Sequence, residues 1–362
     1  MARARRAVTA VGSVVALLVL ALPATRSGAP AAGGGTAGKV AGATLPWMGA
    51  EGAADTSAVA KLGADGFNTL SLFVWWVADS PRADSIHSYA ATQPDQALSL
   101  EIEAARSAGL QVSLTPVIWC TGCQGGWRGT MAPAHPDAFF ASYRAFIDHY
   151  AELAQSAGAT MFFAGSEMAS TEAYTAQWQR VIADVRTRFH GTVAYELNWA
   201  NLGMARFLRS VDMIGVSAYF PLDDQAEPSL GRLLADWHHS SAAATRGRDW
   251  FATVAGLSAA NGRPIIFGEA GYMAGQYAGR APYLDFYGIT DWALQADLYQ
   301  AMLETFQGQS WWAGVMWWDW ETADDGPAAN GRTFRAKTAE DLLTLWYRSD
   351  VRPSNPAQPL LP

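Results

Sequence analysis

The chain has 362 residues, of which 50% are hydrophobic and 16% charged, with a formal net charge of −8. That composition fits a well-filled globular core and excludes a disordered or fibrous chain. The acidic balance argues against nucleic acid or an anionic membrane surface as a partner.

Residues 1–31 read as an export signal. Arg3, Arg5 and Arg6 precede an apolar run from Ala7 to Ala24 that is short for a membrane span. The Arg5–Arg6 pair also fits a twin-arginine signal. Setting this segment aside removes four arginines and no acid, which takes the net charge from −8 to −12. The expectation is a secreted, monomeric protein with no membrane attachment after cleavage. Residues 32–39 are an Ala/Gly-rich flexible linker, residues 40–350 are expected to form one domain, and 351–362 a Pro-rich tail.

From Val40 onward, apolar strand-like runs alternate with amphipathic stretches. Val40–Met48 is the first strand, followed by a helix capped by Asp55 or Thr56. Phe67–Trp76 is the second, and a cap at Thr92–Gln96 opens a helix over Ala97–Ala108. Gln111–Trp119 is the third, and its long loop holds the only two cysteines, Cys120 and Cys123. In an exported chain that pair favours a local disulfide over a metal site, because no second Cys or His pair completes a tetrahedral set. Phe139, Phe140, Tyr143, Phe146, Ile147 and Tyr150 recur at helical spacing within Pro136–Ala157. Strand four is the run from Met161 towards Glu167. A helix over Thr171–Phe189 and strand five, Thr192–Trp199, come next.

Ala200–Ser210 is long enough for only a small helix before strand six, Val211–Leu222. One or two helices fill Leu230–Asn261, and strand seven is Pro264–Gly268. A helix over Thr290–Gln307, strand eight at Trp312–Trp320 and a last helix at Asp341–Trp346 complete the chain. Eight strands alternating with helical crossovers predict a single (β/α)8 barrel. An open doubly wound sheet would want a glycine-rich phosphate loop after an early strand, and the turn following Trp47 lacks that spacing.

In such a barrel the site lies at the C-terminal strand ends. Two glutamates stand there: Glu167 after strand four and Glu269 after strand seven, each following an apolar run. A carboxylate at the end of an apolar strand is costly to bury unless it is paired or used. Trp47, Trp76, Trp119, Trp127, Trp199, Tyr272, Trp317 and Trp318 supply flat faces suited to sugar rings. Arg128, Asn198, Tyr219 and Asp319 complete the candidates. Glu196, Asp319 and Glu321 are rival carboxylates, with Glu196 expected to face away from the site. Of the six histidines none ends a predicted strand, and neither a metal nor another cofactor is indicated.

These residues resemble those of clan GH-A glycoside hydrolases. The closer resemblance is to glycoside hydrolase family 113, the β-mannanases, through GGWRG (Gly125–Gly129), AGSEM, YELNW, VDMIGVSAYFPL and PIIFGEAGY. It implies Glu167 as acid/base, Glu269 as nucleophile and Tyr219 as the residue that orients the nucleophile. It places Trp127 and Arg128 on the glycone side, Asn198 at a sugar hydroxyl, and Trp317 or Trp318 under the distorted ring. The implied substrate is a β-1,4-mannan or glucomannan. Ser166 stands where many clan members carry Asn. Two alternatives remain: a retaining clan GH-A enzyme acting on another glycan, or a carbohydrate-binding barrel without catalysis.

Overall fold

The computed structural model describes residues 38–45, 56–285, 288–321 and 331–348. The expected signal segment, most of the linker, the Pro-rich tail and Trp47 lie outside these. Eight parallel strands close into a barrel in sequence order: β1 (Val40–Leu45), β2 (Thr69–Ala78), β3 (Gln111–Cys120), β4 (Met161–Ser166), β5 (Thr192–Asn198), β6 (Met213–Ser217), β7 (Ile265–Ala270) and β8 (Trp312–Trp317). Most strand residues are buried, as expected where helices cover one face and the barrel interior the other.

The outer layer is α1 (Thr56–Ala64), α2 (Asp95–Ser107), α3 (Pro136–Ala157), α4 (Thr175–Arg188), α5 (Leu230–Asp236), α6 (Trp250–Asn261), α7 (Trp292–Phe306) and α8 (Thr338–Arg348). Local chemistry sets their ends. α3 starts on Pro136 and stops at Gly158, whose φ of 85° suits glycine. Asp249 and Asp291 cap α6 and α7 by accepting from the amides of Ala252 and Leu294. All six aromatic and aliphatic residues predicted for the inner face of α3 are buried. Between β5 and β6 the chain makes only a 3-10 turn, Leu208–Ser210, so the two helices after β6 complete the set of eight.

Two cores result. A small one inside the barrel joins Met161, Phe163, Ala194, Ile266 and Met316, while a much larger one lies between strands and helices. Side chains alternate between these two environments along the regular stretches of strand: Met161 and Phe163 face in while Phe162 and Ala164 face out. Trp317 falls in the outer core: its indole nitrogen donates to the Tyr347 hydroxyl (2.8 Å) and its ring stacks on Tyr299 at 4.3 Å. Tyr272 is fully buried against Tyr299. Trp76 donates to the Tyr150 hydroxyl (3.0 Å) and packs on Phe146 of α3. All three therefore face the helical layer and not the mouth, contrary to the expectation that they bind substrate.

Candidate active site

The pairing register slips at the strands that carry the two glutamates. β4 and β5 shift between Phe163 and Ser166, and β7 shifts against β8 between Phe267 and Ala270. Such irregularities re-aim side chains near functional sites. Beyond the first shift Glu167 adopts φ 53°, a left-handed conformation that costs a non-glycine residue roughly 1–3 kcal/mol. The Glu167 amide remains tied to the Glu196 carbonyl (2.8 Å), so the turn is held by β5. Beyond β7, Gly271 is required by close approach, because an added Cβ would lie 1.7 Å from the Trp318 carbonyl oxygen.

Three donors converge on the Glu167 carboxyl. The Asn198 amide donates to Oε1 (2.7 Å) and the Trp127 indole to Oε2 (3.1 Å), while Arg128 Nη2 stands 3.4 Å from Oε2. Arg128 is itself buried and also donates to the Ser166 carbonyl and hydroxyl, both at 2.6 Å. Two glycines of the GGWRG loop are required by indoles. A Cβ on Gly129 would meet the Trp127 ring at 2.2 Å, and one on Gly126 the Trp119 ring at 2.3 Å. A disulfide between Cys120 and Cys123 closes the start of this loop.

On the opposite wall, the Tyr219 hydroxyl donates to Glu269 Oε2 (3.1 Å). Burial pushes the Glu269 carboxyl up to about 7, and the nearby Glu167 adds to the shift, while Arg128, Tyr219 and Arg332 oppose it. Arg332 lies over the Tyr219 ring at 5.4 Å and donates to Asp285 Oδ1 (2.7 Å). Nothing in the local sequence marks it, since it arrives on the long loop after β8.

Aromatic rings line the rim. Trp119 is 47% exposed, with one face against Gly126 and its edge towards Trp75 at 6.4 Å. Trp318 is half-buried and meets Phe73 edge-on at 5.0 Å. Trp199 stacks on Tyr283 at 5.2 Å. Asp319 is buried, and burial first, then Glu321, pushes it up to about 7. Its Oδ1 has no hydrogen-bond partner among the described residues. Glu321 is exposed.

Glu196 corrects another expectation. It does not turn away from the site: it is 1% exposed, and Ser166 Oγ donates to its Oε2 (2.9 Å), which sets it beside the catalytic candidates.

The site as built holds two buried glutamates at the ends of β4 and β7, aromatic faces at its rim and hydrogen-bond donors aimed at one carboxyl from three directions. The family model of Glycoside Hydrolase Family 113 matches residues 44–335. A solved GH113 β-mannanase, AaManA from Alicyclobacillus acidocaldarius in complex with ManMIm, is similar at 27% identity and a TM-score of 0.74, over 86% of this chain and 97% of that one. A GH113 β-1,4-mannanase complex gives 24% and 0.72, over 86% and 99%. A β-glucuronidase from Ruminococcus gnavus shares the fold alone, at 11% identity and 0.57, over 85% of this chain and 50% of that one. No curated protein matches the chain. By the extent of the family match, this chain belongs to glycoside hydrolase family 113.

Proposed function

We propose that the protein is a secreted, monomeric, retaining hydrolase of β-1,4-mannosidic bonds in mannan or glucomannan. The observation that carries the chemistry is the pair of buried glutamates at the ends of β4 and β7, Glu167 held by Trp127 and Asn198 and Glu269 by Tyr219. Glu269, once ionised, attacks the anomeric carbon while Glu167 delivers its proton to the departing glycosidic oxygen. A covalent glycosyl ester forms and the leaving sugar departs with that proton. Water then enters, Glu167 takes one of its protons, and the resulting hydroxide equivalent displaces Glu269 from the sugar. Trp127 and Asn198 hold Glu167 through this exchange, and Tyr219 fixes the orientation of Glu269.

The choice of mannan rests on the family and on the likeness to a β-mannanase at 27% identity. Export rests on the basic and apolar segment at residues 1–31. Trp119, Trp199 and Trp318 would stack on sugar rings, and Arg128 and Asp319 would meet hydroxyls or hold the groups that do. The test is reducing-sugar release from mannan, glucomannan, cellulose, xylan and galactan, with Glu167→Gln and Glu269→Ala alongside. Release from mannan that collapses in both variants is the expected result. Stronger release from another polymer would reassign the substrate, and full activity in a folded Glu269→Ala would overturn the mechanism.

A further inference from the structure

Three carboxyls meet in this site, and the mechanism uses two. The third, Glu196 on β5, occupies space kept open by two glycines. A Cβ on Gly268 would lie 2.4 Å from Glu196 Oε1, and one on Gly215 3.1 Å from the Glu196 Cβ. The charged and titratable groups around it are Glu167 beyond β4, Glu269 on β7, Arg128 from the β3–α3 loop and Tyr219 beyond β6. Burial, then Glu269, then Glu167, push its carboxyl well above the usual range, against the pull of Ser166 and Arg128.

Hydrogen-bond direction limits where a proton on Glu196 can sit. Arg128 has no acceptor capacity, so at 2.6 Å its Nη2 donates to Ser166 Oγ. The single hydroxyl proton of Ser166 is then directed to Glu196 Oε2, 2.9 Å away, which must accept it. That leaves Oε1, which has no partner among the described residues. A bare anionic oxygen enclosed beside two further carboxyls costs far more than a neutral O–H there.

We infer that Glu196 works as a neutral carboxylic acid, a positioning residue that ends the Arg128–Ser166 relay without placing a negative charge beneath the nucleophile. Its neutrality lets Glu269 ionise, and its acceptor oxygen keeps Ser166 and Arg128 set against Glu167. This inference rests on the reading of Glu167 and Glu269 as the catalytic pair.

Two substitutions test it. Glu196→Leu keeps much of the volume and breaks the relay, so kcat should fall about tenfold or more with KM little moved, as expected for the loss of one buried hydrogen-bonded contact. Glu196→Gln reproduces the shape and hydrogen bonds of the neutral acid. It should recover most of the kcat lost in the leucine variant and leave the acidic limb of the pH profile at its wild-type position. An acidic limb displaced to lower pH in Glu196→Gln would mean that a charge had been removed, and would overturn the proposal. So would a folded Glu196→Leu with undiminished kcat. Independently of any substrate, the wild-type minus Glu196→Gln infrared difference spectrum of the folded proteins at neutral pH should contain a protonated-carboxyl band. Its absence from that difference would also overturn the assignment, whereas silence on mannan alone would leave this readout standing.

Discussion

Replacing Tyr219 with Phe removes the one side-chain hydrogen bond that Glu269 receives among the described residues. The donor and acceptor are 3.1 Å apart, on residues 8% and 7% exposed, so solvent does little to screen them. A hydrogen bond to a charged group contributes about 1.5–3 kcal/mol. At about 1.36 kcal/mol per pKa unit, its loss raises the Glu269 carboxyl by roughly one to two units. The starting point is about 7, so the variant should require a pH of about 8–9 to ionise the nucleophile. The sign follows from the mechanism: the attacking group must be deprotonated, so a raised value moves the acidic limb of kcat/KM to higher pH. At about pH 6, where both enzymes sit on that limb, the variant should be slower by roughly ten- to a hundredfold, and the gap should narrow as pH rises. The assay is kcat/KM across the pH range on an aryl β-mannoside whose leaving group is read by absorbance. A limb that stays in place, or moves to lower pH, would refute the reasoning.

Further outcomes follow from the same geometry. Gly129→Ala places a Cβ 2.2 Å from the Trp127 ring, which must withdraw from Glu167. Loss of that bond should lower kcat by about ten- to a hundredfold, checked by initial rates on a variant whose melting temperature is measured alongside. Glu101→Gln acts on stability instead. Burial pushes the Glu101 carboxyl from 4.5 up to about 7, against the pull of Gln93, which donates to Oε2 (3.0 Å). A carboxyl raised in the folded state favours folding below its unfolded value, and that contribution is lost as pH rises through the folded value. The glutamine variant should therefore match the wild type near pH 4.5 and gain roughly 3 kcal/mol near pH 8, read by urea unfolding at both.

The barrel was legible because its strands are nearly unbroken apolar runs and its helices keep a helical spacing. Sequence spacing also placed Glu167 and Glu269 at the ends of β4 and β7, three strands apart. What it did not resolve was the direction of neighbouring side chains. Trp76 and Trp317 each sit beside a tryptophan, and composition cannot say which member of the pair faces the helices. Parity along the strand was an available signal in one case. Glu196 and Asn198 are two residues apart on β5 and so share a face, which places Glu196 with the site once Asn198 is there. The register shifts on β4 and β7 break that parity, and no residue pattern announces them. Arg332 reaches Tyr219 through the fold alone, on a loop whose sequence carries no sign of it.

The central claim is a double displacement by Glu269 with Glu167 as acid and base. The most direct measurement is the anomeric configuration of the first product, followed by proton NMR during early hydrolysis of a manno-oligosaccharide, before mutarotation mixes the anomers. The account predicts the β-anomer appearing first, with equilibration to the mixture afterwards. First appearance of the α-anomer would mean a single inverting displacement by water, and would contradict the assignment of Glu269 as nucleophile.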